Sequence, residues 1–408
     1  MESEATNNIQ IVENEATNNI QIMESEITNN IPLVDETTNT IPPVDETTNT
    51  IQVVDEDQFL KLYSYEKCTI TDADDLKLQR SVVKDIDGNI VSISLPYTDE
   101  YVLNDEVELP EIDLNDYDVY TSMEGTLTRL FYFQDKWYVT TNRKLDGFKS
   151  YWSSHFSFGQ IFVNNILHVY KETNIESFFE KLDKEQIYFF LLMPTIENRI
   201  VCHVDSALPS LYYLGYLQKG KFTEDDVLQR GDELSEISRL QLLEMEDMTL
   251  SNVVDHVKGV NVWKNQGVIL FHKTKNRQIK LLNEEYKRLW SVRNNNPNLF
   301  LRYFEIRTDG KMLEDFFKLY PKFVTVADRF EYQIFEVSKH LHQAYVERYI
   351  RKQYVSLPKQ EYVILKKAHD WHNKDRDYNR IYRTKMLHLL NDEKPIHLYQ
   401  IIKRHFKY

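Results

Sequence analysis

Short runs of alternating hydrophobic and polar residues fill the middle of the chain, and this pattern predicts β-strands joined by tight turns. Asp87-Gly88 and Gln134–Lys136 stand at the predicted turns of the first two hairpins. The predicted strand pairs are 79–91, 127–141, 187–193 with 199–204, and 267–272 with 277–282. Ile175–Leu182 and Ser235–Met245 have patterns that favour helix instead.

The pattern changes to a helical period from about Leu313. Arg329–Gln353 places its apolar residues on roughly one helical face: Phe330, Ile334, Val337, Leu341, Tyr345 and Ile350. The chain is therefore predicted to be α+β, with antiparallel sheets and helices followed by an all-helical domain.

Residues 1–54 are five repeats of an acidic, Asn/Thr-rich unit of ten or eleven residues. Such a composition cannot bury a core, so we expect a disordered tail over 1–57 that adds little to folding. A second interpretation makes each repeat a short motif for a protein partner. The remaining chain is predicted to form an α+β domain over 58–310 and a helical domain over 311–408.

Charge divides the chain into three blocks, although the net charge is −15. Residues 1–57 hold 13 acidic and no basic residues, whereas residues 258–408 hold 31 Lys and Arg against 16 Asp and Glu. The middle block is acidic. The basic block could bind nucleic acid, or it could pack against the acidic block.

Two cysteines are too few for a disulfide framework and indicate a reducing compartment. No signal peptide and no apolar run long enough for a transmembrane helix occur, so we expect a cytoplasmic protein without membrane contact.

Lys144-Leu145-Asp146-Gly147 has the Lys-x-Asp-Gly form of a nucleotidyltransferase nucleophile, in which the lysine attacks a nucleotide α-phosphate. A different alignment fits the surrounding sequence better. Ser122-Met123-Glu124-Gly125 is followed by a predicted hairpin and the Thr/Lys/Arg-rich segment 140–144. This arrangement resembles the RNA ligase family of the T-even phages, with Ser122 at the lysine position and Glu124 and Gly125 after it.

Further segments carry the same resemblance over about 76–307. Pro194–Val201, which contains Arg199, is similar to the family's Pro-x-Asn-Arg-Ile-Val turn. Gln266-Gly267 stands where the family has Glu-Gly, Lys280 keeps the second lysine of a Lys-x-Lys strand, and Arg80 keeps an upstream arginine. The resemblance therefore implies a nucleotide-binding fold with these site residues: Arg80, Ser122, Glu124, Gly125, Arg199, Gln266 and Lys280.

The reactive residues of that family are replaced at four positions: Ser122, Phe190, Gln266 and Gln278. Serine needs a base to act as a nucleophile, and an amide is a poorer ligand than a carboxylate for a hard cation. The resemblance thus predicts a degenerate, inactive protein that binds RNA or a protein partner. The alternatives are an active RNA ligase that uses Lys144, ATP and magnesium, and an interaction protein acting through its acidic tail.

Basic residues beside aromatic ones in the helical domain are candidates for RNA binding, because cations attract phosphates and aromatic rings stack on bases. They are Arg348, Arg351, Lys352, Arg376, Arg380 and Arg383. His369 and His372 share a helical face, but no third ligand completes a zinc site, so no metal is predicted. The abundance of Asn, Ile and Lys is typical of AT-rich genomes, such as those of large DNA viruses.

Overall fold

The computed structural model describes residues 51–205, 210–220, 223 and 225–406. The strands are β1 Ile51–Glu56, β2 Leu60–Tyr65, β3 Val82–Asp85, β4 Ile90–Ser92, β5 Asp99–Leu103, β6 Tyr117–Ser122, β7 Thr126–Phe133, β8 Lys136–Thr140, β9 Gln186–Leu192, β10 Leu211–Gln218, β11 Gly267–His272 and β12 Gln278–Asn283. The α-helices are α1 Asp74–Lys77, α2 Phe158–Tyr170, α3 Glu176–Phe179, α4 Leu250–Lys258, α5 Glu284–Arg293, α6 Leu299–Ile306, α7 Gly310–Leu319, α8 Phe323–Tyr345, α9 Lys359–Lys374, α10 Arg383–Asn391 and α11 Pro395–Phe406.

These strands form three four-stranded sheets, in the orders β1-β2-β3-β4 (sheet A), β5-β12-β11-β6 (sheet B) and β10-β9-β7-β8 (sheet C). All neighbouring strands are antiparallel except β5, which runs parallel to β12. The predicted class, α+β followed by helices, is confirmed. Sheet B is mixed rather than purely antiparallel.

Sheet C separates two hydrophobic cores because successive strand residues point to opposite faces. Phe189 packs in one core with Leu62 of sheet A, whereas Phe190 packs in the other with Phe162 of α2. A third core lies between α4 and sheet B, where Val253 meets Val268. Together these cores hold the ends of the β-strands in place.

The described chain divides into two compact units at Trp290 and Ser291, within α5. The unit from Ser291 onward is helical, and its core is built largely from aromatic rings. Phe300, Tyr303 and Phe304 all pack against Phe330 of α8.

Two predicted hairpins match closely in both strands and turns. β7 and β8 turn at Gln134 and Asp135, which have φ values of 46° and 61°. Both central residues are thus left-handed, as a two-residue hairpin turn requires. β3 and β4 turn around Gly88, at φ 86°. The strand pair β11–β12 is also present as predicted.

Three other predictions are wrong. Residues 199–204 form no strand, and β9 instead pairs with β7 and β10. Ser235–Met245 is not a helix, because part of it pairs with β6 through the hydrogen bonds of Gln241 and Leu243. The predicted tail ends too late, since β1 begins at Ile51 and pairs along β2. The rest of the tail, residues 1–50, lies outside the described residues.

In the part of the chain that the structure describes, no helix is both long and apolar enough to span a membrane.

Candidate functional site

Three predicted site residues meet at one end of sheet B. β6 ends at Ser122 opposite Gly267, so Gln266 lies directly beside the serine. The Ser122 hydroxyl donates to Gln266 Oε1 at 3.3 Å, and Lys280 Nζ donates to the same oxygen at 3.3 Å. The amide thus bridges the two positions that the family resemblance assigns to a nucleophile and a phosphate-binding lysine.

Lys280 carries the cationic character of this end of the sheet. Its pKa is lowered, first by burial and then by the nearby positive charges of Arg80 and Lys287, while Glu100 and Glu124 oppose the shift. A group in such surroundings gains most from an added negative charge, which would offset the repulsion.

Arg80 belongs to the same cluster. It is half-buried, and its Nη1 donates to the Pro96 carbonyl at 3.1 Å. Burial lowers its pKa, Arg143 lowers it further, and Tyr65 and Glu100 act in the opposite direction. We call Arg80, Arg143, Lys280 and Lys287 the basic cluster.

The hydrogen bonds of Glu124 hold the backbone of a neighbouring turn in place. Its carboxylate accepts hydrogen bonds from the backbone N–H groups of Ile200, Val201 and Cys202 at 2.5, 2.9 and 3.0 Å. The Tyr286 hydroxyl donates to it at 3.3 Å. These bonds explain why the predicted second strand over 199–204 is absent, since its N–H groups are directed at the carboxylate instead of at a neighbouring strand.

Gly125 and Arg199 flank this carboxylate. A Cβ atom at Gly125 would lie 2.6 Å from the Leu192 carbonyl oxygen, so only glycine permits the approach of β9. Arg199 Nη1 donates to the Val201 carbonyl at 3.4 Å and lies in the turn that Glu124 binds. Their observed contacts therefore shape the turn.

Phe190 occupies the position where the family has a glutamate. It is fully buried and packs against Phe162 and Tyr213. It therefore faces α2, on the side of sheet C opposite the core that contains Ile269 of sheet B.

Lys144 makes its contacts elsewhere. Its Nζ lies 3.2 Å from Asp55 Oδ1, and the other oxygen of Asp55 accepts the Leu145 N–H at 2.9 Å. Among the described residues, no hydrogen bond joins Lys144 to Ser122 or Lys280. The lysine is thus engaged in attaching the 144–145 segment to β1.

The predicted RNA-binding residues lie in two places: in or just after the π-helical turn Val346–Ile350, and from the loop before α10 to the first residue of that helix. Arg348 is partly buried and lies over the Tyr362 ring at 4.9 Å, and Arg383 lies over Phe335 at 4.4 Å. Five of the six are exposed, namely Arg351, Lys352, Arg376, Arg380 and Arg383.

Tyrosines stand beside these cations with their rings in solvent. Tyr354, Tyr378 and Tyr382 are 89%, 86% and 58% exposed. The pKa of His369 is lowered first by burial and then by charges that include Lys352 and Arg376, so these two cations lie near one imidazole. We call the exposed cations and the three tyrosines the basic-aromatic surface.

No group of three or more His, Cys, Asp or Glu suited to a metal ion occurs within the described ranges. Sequence reasoning missed Glu100, Lys287 and Arg143, because they reach the basic cluster from β5, α5 and a loop.

The described residues define an α+β protein with a cationic cluster at a sheet end and a helical unit with basic and aromatic residues in solvent. No family model matches the chain. It is similar to the immediate-early protein ICP-46 homolog of Invertebrate iridescent virus 6, with 28% identity over 299 residues, covering 69% of this chain and 65% of that protein. It is also similar to immediate-early protein ICP-46 of Frog virus 3, with 27% identity over 245 residues, covering 57% of this chain and 59% of that protein.

The chain thus matches less than two thirds of the length of these viral relatives. Among solved structures, a putative ATP-dependent DNA ligase from Aquifex aeolicus matches with a TM-score of 0.36 and 13% identity. The match covers 72% of this chain and 78% of that chain. At this level it says nothing about the chemistry of the chain.

Proposed function

We propose that this viral-type protein binds single-stranded RNA through the basic-aromatic surface and transfers no nucleotide. The observation that carries the proposal is the exposure of Tyr354, Tyr378 and Tyr382 beside five exposed cations. Exposed tyrosines gain little from folding, but they offer rings on which bases stack.

Electrostatics support the same function. Residues 291–408 hold 23 Lys and Arg against 14 Asp and Glu. Each phosphate contact releases condensed counterions, so affinity should fall steeply with salt. Stacking on tyrosine tolerates any base, so the binding should show little sequence preference.

The contacts of Ser122 and Lys144 support the absence of nucleotide transfer. The Ser122 hydroxyl is bonded to the Gln266 amide, which is not a base that could take its proton, and Lys144 is paired with Asp55. We infer a nucleotidyltransferase-like fold that has kept its framework and lost its nucleophile. The basic cluster would then hold phosphate without reacting with it.

Fluorescence anisotropy of a labelled single-stranded RNA, titrated with the full chain at two salt concentrations, tests the proposal. The double variant Arg376→Gln/Arg380→Gln should weaken binding and reduce the slope of log K against log salt by about 0.7 per lost phosphate contact. Tyr378→Leu should cost about 1–3 kcal/mol at either salt concentration.

Lys311→Gln is the matched control, because Lys311 is an exposed cation in α7, outside the basic-aromatic surface. An equal loss of RNA affinity in this control would mean that binding depends on overall charge and not on the basic-aromatic surface. Negligible binding by the wild type at both salt concentrations would refute the proposal and favour a protein partner.

A further inference from the structure

A pocket of about 200 Å³ lies where the β11–β12 hairpin meets the segment Val227–Arg230. None of the residues of the basic cluster lines it. Its charged lining consists of four cations and one carboxylate: Arg230, Lys273, Lys275, Arg277 and Asp118. The positive excess means that an anion would be attracted to it.

Two aromatic rings fix the position of the Arg230 guanidinium in this pocket. Its guanidinium lies 4.2 Å from the Tyr120 ring centroid and 4.6 Å from that of Phe271. Burial lowers its pKa to about 10, so it remains charged at neutral pH. A guanidinium fixed in this way loses little freedom when it binds a planar or tetrahedral oxyanion.

Asn276 provides the second observation. It lines the pocket and is only 8% exposed, and its Nδ2 atom is buried without a hydrogen-bond partner among the described residues. A buried donor without an acceptor costs about 1–3 kcal/mol. An acceptor supplied by a ligand would recover that cost.

Three other polar groups of the lining are already engaged. Lys273 Nζ donates to the Asn115 carbonyl at 2.7 Å, Arg277 Nη2 lies 3.5 Å from Asp99, and His272 Nδ1 accepts the Thr274 N–H at 3.1 Å. Asn276 Nδ2 and the cationic lining therefore favour a ligand with a negatively charged oxygen acceptor.

We propose that this pocket binds a phosphoryl group, as inorganic phosphate or as the phosphate of a monoester. Its oxygens would accept from Asn276 Nδ2 and from the guanidinium of Arg230. The volume is below the ~300–1,000 Å³ typical of sites that enclose a whole drug-sized ligand. The phosphoryl end therefore binds inside, and the rest of a monoester stays outside.

Isothermal titration calorimetry on the full chain tests this site with three probes: inorganic phosphate, adenosine 5′-monophosphate and adenosine. Phosphate and the monophosphate should bind, whereas adenosine should not. Tighter binding of phosphate than of the monophosphate would identify free phosphate as the source. The reverse order would identify a monoester.

Asn276→Asp replaces the donor with a carboxylate, and it should weaken binding of both phosphate probes at least tenfold. Arg230→Gln should do the same. Lys264→Gln, an exposed cation outside the pocket, is the control and should bind like the wild type. If Asn276→Asp fails to fold, as judged by thermal unfolding, Lys275→Gln/Arg277→Gln provides the same test at exposed positions.

Lys280→Gln separates this pocket from the basic cluster. Binding that survives in Lys280→Gln and is lost in Asn276→Asp supports the proposal. Binding that is lost in Lys280→Gln and kept in Asn276→Asp overturns it, and so does the absence of heat with both phosphate probes. RNA binding by the helical unit could fail without affecting this result.

Discussion

Glu124→Ala removes an acceptor that satisfies three backbone donors at once. Val201 and Cys202 are at most 2% exposed, and Glu124 itself is 6% exposed, so water reaches these groups poorly. An unsatisfied buried donor costs about 1–3 kcal/mol. Allowing for some entry of water into the vacated space, we expect a loss of about 3–5 kcal/mol.

Glu124→Gln separates charge from shape. The carboxylate uses Oε1 for Ile200 and Oε2 for Val201 and Cys202. Glutamine retains one acceptor, but its NH₂ group then faces an N–H group, so we expect an intermediate loss of about 2 kcal/mol. Tyr286→Phe is the control, since it removes only the hydroxyl bond and should cost about 1 kcal/mol.

Differential scanning calorimetry and hydrogen exchange measure these losses. In a unit of this size, 1 kcal/mol lowers the midpoint by about 2–4 °C, so Glu124→Ala should lower it by roughly 10 °C. Exchange should accelerate most at Ile200–Cys202. If Glu124→Ala stays within about 1 kcal/mol of the wild type, the carboxylate does not hold the turn at Ile200–Cys202.

Three further predictions concern chemistry, the N-terminus and pH. Incubation with labelled ATP and magnesium should leave no covalent adduct on a denaturing gel, because Ser122 is bonded to an amide; a labelled band that disappears in Lys144→Ala would establish an active enzyme instead. Deletion of residues 1–50 should leave the thermal midpoint unchanged. Deletion of residues 1–57 should lower the midpoint, because it also removes β1 and the Asp55 partner of Lys144. Equal midpoints for the two truncated proteins would contradict the role of β1. Burial raises the pKa of Glu361, but His405 and Arg404 together lower it by more than burial raises it. The net pKa of Glu361 therefore lies below the usual 4.5. The stability from this carboxylate is therefore present above pH 4.5 and is lost as pH falls through the lowered pKa. Glu361→Gln should flatten that acid dependence in urea unfolding, and a parallel dependence in both proteins would disprove it.

Features encoded over a few neighbouring residues could be predicted from the sequence. The turns at Gly88 and at Gln134-Asp135 depend on local φ values, and the apolar face from Phe330 to Tyr345 depends on the helical period. Ile350, predicted on the same face, lies beyond the end of α8 and is 66% exposed. The charge blocks and the helical unit were visible for the same reason. Even so, local pattern overestimated the tail, because Ile51–Glu56 becomes a strand only by pairing with β2.

Tertiary structure alone decided the partners of the site residues. Glu124 bonds to a turn 76–78 positions away, and Ser122 to an amide 144 positions away. No local propensity encodes such distances, so the local pattern of residues 199–204 predicts a strand, whereas the N–H groups of Ile200–Cys202 donate to the distant carboxylate. Lys144 shows the converse, since its motif suggests a nucleophile, whereas pairing with Asp55 on β1 gives its amine a different partner. Residue types thus determined which chemistry was available, and long-range packing determined which groups could meet.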